Sequence, residues 1–321
     1  MKERLILLFA LFWLPLFVVA QQRVIVDTDI DSDVDDAGTL VMLYTLHKQH
    51  KINLLGTVVT SDDPFAATCV SAFNAYYGMK KLPLGFLEEQ PFLKNHSRYT
   101  RQISEEFPHD LASWKEAETA TNTYRELLAG SPDHSVIILT IGHLSSLQKL
   151  LQSPADQFSP LSGKQLVEAK VQKWYCMGGL FPEGKEANFS RPDPASTVYC
   201  LGNWTKEVVF CGWEIGRQIV TGDSALRAKL TSGQPMYRAY ELYNNFDGRA
   251  SWDQVTAFLL TDQAAGYFEL DNAGHCQLEA DGSNRWIPGK SGNQFIVKFK
   301  PGADPLKVAS LITDLMLEKD L

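Results

Sequence analysis

Short apolar runs alternating with amphipathic stretches organise most of the chain. Arg23-Val24-Ile25-Val26 is a β-branched run that stops at Asp27, which predicts a buried strand presenting a loop at its carboxyl end. Residues 37–46 then read as a helix, 52–60 as a second strand, and 64–77 as a helix with Pro64 in its first turn. Helical spacing returns at 119–129. A strand at 135–141 is broken by Gly142 and followed by a helix over 144–151. The run 167–177 reads as a strand entering Gly178-Gly179, and 207–211 as another, followed by Gly212 and a helix carrying Arg217. Helices are predicted over 235–244 and 252–260. Beyond Gly266 the pattern turns to β-hairpins, with Asp281-Gly282 and Pro288-Gly289 as turns, and a helix over 305–317 closes the chain. Strands alternating with helices predict an α/β fold: a single domain with a mainly parallel central sheet flanked by helices, and a small β-hairpin region near the C-terminus. No linker-like stretch or internal repeat divides residues 23–321, and the fold class places ligands at the strands' carboxyl ends.

The start of the chain departs from this pattern. Lys2 and Arg4 precede an almost unbroken apolar run over residues 5–19, and Val18-Val19-Ala20 supplies small residues ahead of Gln21. This reads as a signal peptide of residues 1–20, hence an exported protein, periplasmic or secreted. The competing reading is an uncleaved anchor, since the run approaches spanning length. Pro15 and the small residues after it favour cleavage, after which no stable membrane contact is expected.

Composition narrows the partners. The 321 residues carry a formal charge of −8 and show no Lys/Arg cluster, which argues against a nucleic-acid partner and leaves room for a cation and a small-molecule substrate. A homo-oligomer is compatible with the sequence. The five cysteines (69, 176, 200, 211 and 276) have no C-x-x-C spacing and form no zinc set. They read chiefly as buried apolar thiols, with one or two unassignable disulfides as the alternative.

The chemistry is concentrated in three segments. Asp27, Asp29, Asp31, Asp33 and Asp35 alternate, and Asp36 follows. Carboxylates held this close repel one another unless a proton or cation compensates, and calcium or magnesium prefers such oxygen ligands. A solvated, helix-capping loop is the plainer reading, but an apolar strand leading straight into the cluster favours a metal. An EF-hand is excluded, because Ser32 and Gly38 stand where Gly and Glu are required. A D-x-D phosphatase, built on Asp27-Thr28-Asp29, lacks a convincing later lysine and second acidic loop and stays as the enzymatic runner-up. The second segment runs from Met177-Gly178-Gly179 to Glu186 and Asn188, whose side chains suit sugar hydroxyls. The third is Ser251-Trp252-Asp253-Gln254, where Asp253 alone would read as a helix cap.

Together these segments resemble the inosine–uridine preferring nucleoside hydrolase family. The D-T-D-I-x-S-D-V-D-D-A loop is similar to its metal loop, and Ile138-Leu139-Thr140-Ile141-Gly142-His143-Leu144 to its strand-and-Gly turn. Met177-Gly178-Gly179, Gly184 and Glu186-x-Asn188 resemble its ribose loop. Val209 to Gly216, Thr221-Gly222 and Ser251-Trp252-Asp253-Gln254 follow in family order. The resemblance implies one calcium held by Asp29, Asp35, Asp36, Asp253 and the backbone carbonyl of Ile141. It implies Asp29 as general base toward water, and Asp35, Glu186 and Asn188 as contacts to the ribose. The implied reaction splits a ribonucleoside into free base and ribose; a riboside- and calcium-binding protein without strong catalysis is the alternative. Asp27 is expected to support the loop, with Asp31 and Asp33 in an inserted turn. Four residues depart from the pattern: Asp31 for a usual Gly, Leu180 for a polar residue, Ser146 for Asn, and Trp252 where one subgroup has a histidine toward the leaving base. His109, His143 or solvent would then supply that proton.

Overall fold

The computed structural model describes residues 21–61, 63–87 and 97–317; the signal peptide expected over residues 1–20 lies outside them. The chain opens with β1 (Gln22–Thr28), α1 (Asp35–Lys48), β2 (Ile52–Val59), α2 (Ala66–Tyr76), β3 (Leu84–Phe86) and α3 (Thr100–Glu106). It continues through β4 (Glu118–Thr119), α4 (Ala120–Ala129), β5 (Val136–Thr140), α5 (Ser145–Gln152), α6 (Gly163–Lys170) and β6 (Val171–Met177). Next come β7 (Glu183–Gly184), α7 (Ala187–Ser190), α8 (Pro194–Asn203), β8 (Glu207–Cys211), α9 (Trp213–Gly216), β9 (Val220–Thr221) and α10 (Ser224–Lys229). The last stretch holds α11 (Pro235–Asn244), β10 (Arg249–Ala250), α12 (Trp252–Phe258), β11 (Phe268–Asp271), β12 (Gly274–Leu278), β13 (Asn284–Pro288), β14 (Gln294–Phe299) and α13 (Pro305–Met316).

Nine strands form one sheet in the order β11-β14-β8-β6-β5-β1-β2-β3-β4, parallel throughout except where β11 runs against β14. β1 and β5 lie at its centre, and their residues from Val24 to Thr28 and Val136 to Thr140 are all buried. Strands covered on both faces read as continuous apolar runs, which is why their signal in the sequence is strong. The pleat divides them between two cores: Val24 and Val26 pack on one side of the sheet, Ile25 on the other. All five cysteines are buried and unbonded, as the apolar-thiol reading expects.

Three expectations change. The apolar stretch 167–177 is not one strand, because its first part is the end of α6. Ser162 and Gln165 form a capping box that starts this helix, and the strand begins only at Val171. Pro288-Gly289 is not a hairpin turn either: β13 pairs with β12 and β7, while β14 crosses to lie parallel to β8. The hairpin turns at Gly282, whose φ of +81° is a glycine conformation. Finally, β1 continues through Asp27 and Thr28, so the first aspartate belongs to the strand.

Candidate active site

Asp27 pairs with Val58 and Thr140 in the sheet and is 1 % exposed. Its carboxyl accepts hydrogen bonds from the hydroxyls of Thr60 and Tyr124, and burial pushes its pKa up to about 7. The Thr60 hydroxyl also meets that of Ser146, so this departure from the pattern serves the same strut. Asp27 supports the loop and does not line the cavity described below.

The inserted turn has a structural task. Asp31 adopts φ +98°, and its Oδ1 accepts from the backbone N–H of Arg98 at 2.8 Å, from that of Tyr99 at 3.2 Å, and from the Thr100 hydroxyl at 3.0 Å. These groups are the free donors where α3 begins, so Asp31 ties the loop to that helix. Tyr99 returns the contact, its hydroxyl donating to the Asp33 carbonyl at 2.8 Å.

Asp35 and Asp36 occupy the first turn of α1, where the helix dipole favours negative charge. Asp36 accepts from the Thr28 hydroxyl, and Asp35 Oδ2 accepts from the Asp253 N–H at 3.2 Å, joining α1 to α12. The other oxygens, Asp35 Oδ1 and Asp36 Oδ2, are buried without a hydrogen-bond partner among the described residues. Asp33, Asp35, Asp36 and Asp253 each place one oxygen within 4.8 Å of the others. Burial first, and neighbouring carboxylates second, push the Asp36 and Asp253 carboxyls well above their ordinary range. Orphaned buried carboxylate oxygens require a proton or a hard cation, and an all-oxygen donor set of this size fits calcium.

Asp29 is adjacent to this quartet rather than within it. It lines the same cavity, accepts from the Ser32 hydroxyl at 3.2 Å, and has its pKa raised well above normal by enclosure, then by Asp33. Gly142 makes its position possible, because a Cβ there would stand 2.6 Å from the Cβ of Asp29. Asp33 takes the fourth place and also holds Arg249 at 2.8 Å. Nothing in the local pattern distinguished it from its neighbours, since the partner that positions it lies 216 residues away.

The loop from Met177 to Asn188 closes the other side. Glu186 caps α7, accepting from the N–H groups of Asn188 at 2.8 Å, Phe189 at 3.1 Å and Gly179 at 3.1 Å, while burial pushes its pKa to about 7. The Asn188 amide lies 3.4 Å from the Ile141 carbonyl and 3.3 Å from that of Met177. The Leu180 backbone exchanges two hydrogen bonds of 2.9 Å with the Asn284 amide and so clasps the hairpin. Asp29, Asp33, Asp35, Ile141, Glu186, Asn188 and Asp253 thus share one cavity of about 530 Å³, a size suited to a small ligand. Asp36 stands behind it.

The remaining wall is aromatic and basic. Trp213 and Trp252 stack with centroids 6.3 Å apart, and the Trp252 indole N–H donates to the Trp213 carbonyl at 2.9 Å. His143 lines the cavity, its Nδ1 3.0 Å from the Ser145 hydroxyl, which donates to Asp193 at 2.8 Å. His109 lies elsewhere, with Nε2 against the Ser104 carbonyl at 3.0 Å. Arg98, Arg191, Tyr243 and Arg249 also line the cavity, and the sequence reading missed all of them because isolated arginines and a lone tyrosine carry no motif.

A mainly parallel sheet with a carboxylate-floored cavity at its strand ends defines an α/β protein whose acidic cluster could hold a metal ion. Comparison with protein-family models and with curated sequences gives no match. Solved structures do match. An inosine–guanosine nucleoside hydrolase has a TM-score of 0.68 at 13% identity, covering 94% of this chain and 100% of that one. A plant nucleoside hydrolase gives 0.67 at 15%, covering 94% and 100%. An inosine–uridine preferring nucleoside hydrolase from Bacillus anthracis gives 0.65 at 15%, covering 93% and 100%. The chain has the nucleoside hydrolase fold, in agreement with the resemblance carried by its motifs.

Proposed function

We propose that the protein is a calcium-dependent hydrolase of the N-glycosidic bond of ribonucleosides, exported from the cytoplasm, and releasing free base and ribose. The observation that carries this reading is the pair of orphaned carboxylate oxygens on Asp35 and Asp36, grouped with Asp253 beneath a cavity that also holds Glu186 and Asn188. Asp35, Asp36 and Asp253 would hold the ion, with Asp33 completing their quartet and Asp29 and the Ile141 carbonyl as the further ligands proposed from the same cavity. Calcium there would supply a hard positive centre that orders water and sugar oxygens.

The protein's own groups then do the following. Asp29, beside the quartet and facing the cavity, takes a proton from water. N-ribosyl cleavage develops positive charge on the sugar, and the surrounding carboxylates stabilise it. Asn188 donates to sugar hydroxyls, and Glu186, immobilised by three backbone N–H groups, accepts from them. Trp213 and Trp252 line the part of the cavity where the base would lie. Trp252 has no acidic proton to give, so the leaving base is protonated through His143, the histidine among the cavity residues, or from solvent.

The test is base release from a panel of purine, pyrimidine and nicotinamide ribosides, with calcium or with chelator. Release that requires calcium supports the reading; none from any riboside with calcium present removes it. A second reading, riboside binding without turnover, is favoured by the Asp33–Arg249 ion pair, which already gives one carboxylate of the quartet a cation. In that case ribosides would stabilise the protein thermally without product. A D-x-D phosphatase is disfavoured, since Asp27 is enclosed by Thr60 and Tyr124.

A further inference from the structure

The floor of the cavity is acidic, but three of its lining residues are arginines. Arg98 and Arg191 are exposed, and Arg249 is half-buried. Arg98 and Arg249 both lie over the Tyr243 ring, with guanidinium carbons 6.0 and 5.7 Å from its centroid, and Arg249 also covers Trp252 at 4.8 Å. Arg249 pairs with Asp33 at 2.8 Å, and Arg98 Nη1 donates to the Asp31 carbonyl at 3.4 Å. Two guanidinium groups thus converge on the Tyr243 side of the cavity. The Nε of Arg249 is buried and has no hydrogen-bond partner among the described residues. Arg191 follows α7, three residues after Asn188, and makes no ion pair among the described residues.

A neutral nucleoside offers these cations hydroxyl and carbonyl acceptors but no charge to match their own. Guanidinium is a planar fork of donors matched to phosphate oxygens, and a tetrahedral phosphoryl group can meet more than one such fork. We propose that Arg98, Arg191 and Arg249 receive a phosphoryl group on the substrate, so that phosphorylated ribosides, rather than neutral nucleosides, are the preferred class. The proposal deepens the hydrolase reading and rests on it for the sugar's place in the cavity. It can nevertheless be tested by binding alone.

With calcium present, ribose 5-phosphate should bind at least about tenfold more tightly than ribose by calorimetry, the scale of one charge-assisted hydrogen bond. The exposed-residue variant Arg98→Gln/Arg191→Gln should bring the two within about threefold of each other, while its melting temperature shows that it is folded. Uridine, uridine 5′-monophosphate and uridine 5′-diphosphate separate a single phosphate from a diphosphate as the favoured group. Equal binding of ribose and ribose 5-phosphate overturns the proposal. So does a preference that survives in the variant, or one that follows a carboxylate on the base, read with orotidine against uridine. The two readings fail separately. Arginine-dependent binding of ribose 5-phosphate without hydrolysis of any riboside removes the hydrolase and keeps this inference. Hydrolysis of nucleosides with equal binding of the two sugars does the reverse.

Discussion

Asp31 carries two features that pull in opposite directions. Its φ of +98° is one that glycine adopts freely and aspartate does not, whereas its Oδ1 serves donors from Arg98, Tyr99 and Thr100. Replacing a strained residue by glycine relieves roughly 1 kcal/mol, but leaving several buried donors unpaired costs more, about 1–3 kcal/mol for each group fully stranded. Asp31→Gly is therefore expected to destabilise the protein, and a lower urea midpoint with an unchanged slope would register it. The sequence offered the charge at this position but not its partners, because they lie on another element 67 residues away. Asp29 makes the complementary case. Its neighbours leave it facing the cavity outside the carboxylate quartet, so Asp29→Asn should lower turnover by about a hundredfold or more, the scale of general-base loss, with a small change in riboside affinity. An equal loss in affinity and turnover would assign Asp29 to binding instead.

At the scale of elements, one glycine decides whether the site can assemble. Gly178 follows β6 where a Cβ would stand 2.3 Å from the Phe189 ring, so the strand end and α7 fit only without a side chain. Gly178→Ala must push α7 outward and take Glu186 and Asn188 with it. The expected result is a rise in KM for any riboside with folding retained, measured by initial rates beside a melting curve. This constraint was partly readable beforehand, since a Gly pair at a strand end signals close approach. The same holds for β1, β5 and β8, whose unbroken apolar runs follow from burial on both faces. What was not readable is how short elements meet. The boundary inside 163–177 turns on a capping box rather than on periodicity, and the pairing of β13 with β7 arises from a contact across a hundred residues. The union of α1 with α12, through Asp35 and the Asp253 N–H, is of this second kind, although the order of the motifs anticipated that Asp253 belonged with the loop.

For the molecule as a whole, the site is a store of buried carboxyl groups, and this has a consequence for stability. Burial raises Asp27 and Glu186 to about 7 and raises Asp29, Asp36 and Asp253 well above their ordinary range. A carboxyl whose pKa is higher in the folded state than in the unfolded state holds its proton more tightly when folded. Its contribution is complete below the unfolded value near 4 and is lost as pH rises through the folded value. Without metal, the protein should therefore lose stability steadily from about pH 4 to pH 7 and beyond, by an amount on the order of several kcal/mol in the unscreened interior. Calcium bound as proposed would replace the protons of this cluster rather than add to them, so its stabilising effect would grow with pH. Melting temperatures measured with calcium and with chelator should nearly coincide around pH 5 and diverge by pH 8, with Asp36→Asn reducing the divergence. Two curves that stay parallel across that range would mean that the buried carboxylates are not where the ion binds.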